Sequence, residues 1–98
     1  MSRGAEFAPP VKRSVTIAGH ETSVAIEPLY WSALERAASD TGQPLNALIA
    51  RIDAERLDSR NPPNLASALR QWLYAQSLGR GEYGAGEGLL SVGRDVEP

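Results

Sequence analysis

The sequence predicts a mainly helical α+β domain: an N-terminal strand or hairpin, two core helices and an additional C-terminal helix, assembled as an intertwined homodimer. Three observations lead there. Residues 14–26 hold two short runs of alternating polar and apolar side chains, as half-buried strands do. Three later segments repeat apolar residues at helical spacing, each bounded by proline, asparagine or glycine in capping positions. Finally, 98 residues form one domain near the lower limit for a self-sufficient core. So small a unit is expected not to enclose its own apolar face, which points to two copies sharing one interior.

Residues 1–11 show no period, and Pro9-Pro10 blocks regular structure, so this stretch is expected to be disordered. Ser14-Val15-Thr16-Ile17 and Ser23-Val24-Ala25-Ile26 are the strand segments. Their apolar parity flips, from odd numbers to even, and Ala18-Gly19-His20-Glu21 must absorb the flip. One solution is a tight hairpin with Gly19 and His20 as its central pair, glycine first being the type II′ preference. It sets Val15 opposite Val24 and Thr16 opposite Ser23. The other is a single long strand with a glycine bulge.

The first helix starts at Pro28, a good first-turn residue, and stops at Gly42, placed for a left-handed cap. Trp31, Leu34 and Ala38 form its apolar stripe. The second helix starts near Pro44, with Leu45, Leu48, Ile49 and Ile52 at i, i+3, i+4 and i+7. Asp53 to Arg60 reads as a solvated, self-paired helix end, and Asn61-Pro62-Pro63 stops the helix. Asn64 then caps a third helix, whose stripe is Leu65, Leu69, Trp72 and Leu73 before Gly79. The ordered domain is therefore expected over 12–78. Residues 79–98 are expected to be a disordered, glycine-rich acidic tail in which only Leu89, Leu90 and Val92 offer apolar surface.

Composition narrows the function. The chain has no cysteine, which excludes disulfides and thiolate metal sites. No long apolar run suggests a signal peptide or a membrane span, so a cytoplasmic location without membrane partners is the expectation. Formal charge is −2, but the tail concentrates Glu82, Glu87, Asp95 and Glu97 against Arg94. The rest of the chain is thus slightly basic. All cations but Lys12 are arginines, suited to bidentate contacts with phosphate or carboxylate. His20 is the only histidine and lies at a turn, and Asp53, Glu55 and Asp58 have neither a cleft nor a nucleophile beside them. The expectation is a protein without catalytic residues, metal or cofactor.

The segments RSVTIAGHETSVAIEPLYWSALERAA, PLNALIARIDAER and NLASALRQWL carry a resemblance. Strand, proline-initiated helix, glycine and second helix, in that order, resemble the ribbon-helix-helix family of bacterial DNA-binding proteins, and more narrowly a small proteobacterial subgroup. The resemblance spans roughly residues 12–76. It implies strands of two protomers pairing into a ribbon that enters the major groove, over a dimer core of Val24, Ile26, Trp31, Leu34, Leu48, Ile49 and Ile52. The groove admits such a ribbon, and alternate side chains reach base edges. With Val24 and Ile26 inward, Glu21, Ser23 and Ala25 would contact bases. Lys12 and Arg13 would contact phosphates, as would the backbone amides of Leu45, Asn46 and Ala47 at the start of the second helix.

The implied function is a homodimeric DNA-binding transcriptional regulator or repressor, with double-stranded DNA and its own second copy as partners. Three residues depart from the pattern. Glu21 and Ala25 stand where the subgroup tends to carry Arg and Ser, and Pro44 removes an N–H donor. With the acidic balance they favour an alternative: a protein-interaction or assembly module on the same dimer scaffold, with a protein partner held through the third helix or the tail. An antitoxin-like partner-binding protein is a variant that the glycine-rich, weakly apolar tail speaks against.

Overall fold

A computed structural model describes residues 7–79. Its elements in chain order are β1 (Val11–Ile17), β2 (His20–Ile26), α1 (Pro28–Asp40), α2 (Leu45–Leu57) and α3 (Leu65–Gly79). The strands form one antiparallel hairpin. The expectation of disorder before residue 12 reaches one residue into β1, and the acidic tail with Leu89, Leu90 and Val92 lies outside the described residues.

The hairpin alternative holds, but with a different turn. Ala18 and Gly19 are the central pair, at φ 51° and 82°, both left-handed as a type I′ turn demands. Ile17 then faces His20, Val15 faces Thr22, and Ser14 faces Ser23. This register is two residues from the expected one, so every side chain keeps its face. Helix α1 decides between them. The expected register would have set Val11 opposite Pro28, the first residue of α1, whereas the observed one pairs Val11 with Ile26 and uses all seven residues of each strand.

Helix α1 begins at Pro28 without a side-chain cap, and its end is closed as the glycine signalled. Gly42 adopts φ 68°, Gln43 donates its N–H to Ala38 at 3.0 Å, and Gly42 donates to Ser39 at 3.0 Å. These are the paired bonds of a Schellman terminus. At α3, the Asn64 side chain accepts the Ser67 N–H at 2.8 Å, satisfying one of the first-turn donors. The charged end of α2 is self-paired: Arg56 lies 2.8 Å from Asp53 and also donates to the Pro63 carbonyl.

The core is where expectation and structure part. Val24, Ile26, Trp31, Leu34, Leu48, Ile49 and Ile52, expected to be sealed by a second copy, are at most 4 % exposed within one chain. Two additions to the minimal strand-and-two-helix unit explain this. Strand β1 contributes Val15, and α3 contributes Leu69 and Ala68, with Leu65, Trp72 and Leu73 packed partly against the cluster. The premise that the unit cannot enclose its own apolar face is thereby corrected.

Helix α3 is also pinned at the hairpin's exit. Arg70 forks onto Glu27, the residue joining β2 to α1, at 3.0 and 3.1 Å, and its guanidinium lies 5.6 Å from the Tyr30 ring centre. The Glu27 carboxyl is held below the ordinary carboxylate range, first by a backbone hydrogen bond at Glu27 itself and then by Arg70.

Candidate nucleic-acid interface

Strand alternation sorts the hairpin into two faces. Val15, Val24 and Ile26 point inward and are buried, whereas Lys12, Ser14 and Thr16 of β1 and Glu21, Ser23 and Ala25 of β2 are all exposed. The register sets them in three cross-strand pairs: Lys12 with Ala25, Ser14 with Ser23, and Thr16 with Glu21. The three residues expected to face bases thus share one surface with three from β1 that the sequence reading did not single out as a row. The signal was present, since Lys12, Ser14 and Thr16 have the same parity, but the partner strand was undecided.

Hydrogen-bond direction fixes the edges. The Thr16 N–H is directed away from β2, toward the Asn46 side-chain oxygen at 3.4 Å. In an antiparallel ladder such outward groups alternate with inward ones, so Thr16 and Glu21 form a non-hydrogen-bonded pair, as do Ser14 with Ser23 and Lys12 with Ala25. It follows that the far edge of β1 abuts the start of α2. On the far edge of β2, Glu21, Ser23 and Ala25 turn their backbone N–H and C=O groups outward with no backbone partner among the described residues.

The phosphate candidates divide. Lys12 is exposed on the outer face, and none of the four ion pairs among the described residues involves it. Arg13 has the opposite parity. Its guanidinium lies 4.5 Å from the Trp31 ring centre and 3.2 Å from a Glu35 oxygen, so it serves the joint between β1 and α1, away from the outer face. At α2 the Ala47 N–H donates to the Pro44 carbonyl at 3.0 Å. That leaves Leu45 and Asn46 as the amides at this terminus without a backbone acceptor. The Asn46 side chain is committed by its oxygen to β1, with its amide nitrogen still a donor.

A second surface feature lies at the opposite end of α2. An open groove of about 330 Å³ runs between α2 and α3, lined by Ile52, Arg56, Ala68, Trp72 and Ala75 among others. Among the described residues no group of three or more His, Cys, Asp or Glu side chains is placed to hold a metal ion, and no helix is long and apolar enough to cross a membrane.

The arrangement is a two-stranded ribbon with a polar outer face, backed by a helix start and seated on a small helical base. Comparison with known families agrees. The ribbon-helix-helix domain model matches residues 10–77, and the chain belongs to that family. The match includes β1 and nearly all of α3, so both additions lie inside the family domain. No curated protein and no solved structure matches the chain.

Proposed function

We propose that this chain is a cytoplasmic, homodimeric DNA-binding protein, a transcriptional regulator or repressor that acts by occupancy and performs no catalysis. The observation that carries this reading is the outer face of the hairpin. Its six side chains are exposed and polar or small, none is engaged by another described residue, and the α2 amides of Leu45 and Asn46 lie at its border. Ser23 can bond either kind of base edge, Ala25 can meet a thymine methyl, and Glu21 can accept from cytosine N4. The dimer rests on the open edge of β2, which is a template for pairing with the same edge of a second copy. Two such hairpins give the order β1-β2-β2-β1 across a two-fold axis.

The α2–α3 groove favours the second reading, a protein-interaction module. Trp72 lines it half-buried, and Leu57 and Tyr74 on the same helices are 58 % and 62 % exposed. Amide chemical shifts recorded while a mixed-sequence duplex is added at low salt separate the two. The DNA reading expects the largest changes at Lys12, Ser14, Thr16, Glu21, Ser23, Ala25, Leu45 and Asn46, with residues 71–75 unmoved. Changes confined to the groove, or none at all, would defeat it.

A further inference from the structure

We infer that β1 is a phosphate-binding strand: Lys12, Ser14 and Thr16 of each copy lie along the sugar–phosphate backbone that borders the groove entered by β2. This rests on the DNA-binding reading above and assigns the two strands different tasks. Width is the first argument. Four strands spaced about 4.8 Å apart place the outer pair about 14 Å from each other, whereas the major groove is about 12 Å wide. The inner pair can enter, and the outer strands then fall over the groove walls.

The chemistry of the two outward rows agrees. A phosphate offers only acceptor oxygens, so its partners must donate. The β1 row is an ammonium and two hydroxyls, donors throughout. The β2 row contains Glu21, which cannot donate when ionised and repels phosphate, and Ala25, which has no polar atom. Charge follows the same division. Lys12 is outside every ion pair among the described residues, while its neighbour Arg13 is spent on Glu35 and Trp31. Beyond Thr16 the donor row continues, because the Thr16 N–H reaches Asn46, and the amides of Asn46 and Leu45 have no backbone acceptor.

Three variants of the full chain test this on a panel of duplexes differing in sequence: Lys12→Ala, the double change Ser14→Ala with Thr16→Ala, and Ser23→Ala. All four side chains are exposed, and Thr16 holds Asn46 through its backbone, so the fold should survive, as thermal melts will verify. Lys12→Ala is expected to weaken binding to every duplex and to flatten the slope of log affinity against log salt by about one per copy. The double variant removes two hydroxyl donors from each copy and is expected to lose more than about tenfold on every duplex, since one hydrogen bond to a charged acceptor is already worth about tenfold, with base preference intact. A changed base preference in the double variant would put β1 inside the groove and overturn the inference. So would unchanged affinity in both β1 variants while Ser23→Ala still alters base preference. Failure of the unmodified chain to bind any duplex at low salt would overturn the DNA-binding reading as well.

Discussion

Trp31→Ala is expected to lower the free energy of unfolding by about 3–5 kcal/mol, the range for removing a buried large aromatic side chain. Trp31 is 3 % exposed, and its loss acts at three levels. Removing the ring leaves a void in the core cluster that includes Leu34, Val15 and Val24. Its indole N–H donates to the Val11 carbonyl at 2.9 Å, so the outer end of β1 loses its tie to α1. Arg13, stacked 4.5 Å from the ring centre, loses its platform and keeps only the exposed Glu35 contact. Trp31→Phe retains most of the volume and should cost much less, of the order of one hydrogen bond plus a small packing loss, about 1–2 kcal/mol. Urea unfolding of the three proteins measures both. A loss under about 1 kcal/mol for the alanine variant would show that the side chain is not part of a packed core.

The second large effect is expected at Leu69, the fully buried residue of α3. Leu69→Ala should destabilise the whole domain by about 2–5 kcal/mol, with a single cooperative transition. Helix α3 packs against α2, α1 and β2, so a cavity there weakens the packing of Leu48, Ile49 and Ile52 as well. If α3 were an appendage on a complete strand-and-two-helix domain, the variant would instead unfold in two steps, α3 first. Hydrogen exchange would then show fast amides in residues 65–79 and protected ones in α1 and α2.

The elements were legible in the sequence where local chemistry fixes them. Pro28, Gly42 and Asn64 mark helix ends through backbone geometry and capping, which need no tertiary partner, and each stands where the structure places it. The faces of the two strands followed from parity alone. The turn did not, because Gly19 supports a type II′ turn at one position and a type I′ turn one residue earlier. Choosing between them required knowing that α1 starts at Pro28 and limits the pairing. The setting of Arg13 was hidden for a related reason. Basic residues beside a strand look like phosphate ligands, but its odd number shares the parity of Val15, and only the packing of α1 brings Trp31 and Glu35 beneath it. Closure of the core within one chain was the least legible feature. It depends on β1 and α3 both packing against α2, a three-dimensional arrangement that no stripe in the sequence encodes.

That closure alters what a dimer would be for. Two copies are not needed to hide Val24 and Ile26, so in the proposed dimer a second copy would contribute a wider outer face and a two-fold arrangement of Ser23 and Lys12. Sedimentation velocity at micromolar chain concentration, alone and with a duplex across a salt series, tests this most directly. The account expects a dimer that co-sediments with DNA at low salt. From its two Lys12 contacts alone, apparent affinity should fall about tenfold between roughly 50 and 200 mM salt. A monomer that never travels with the duplex, at any ionic strength, would contradict it.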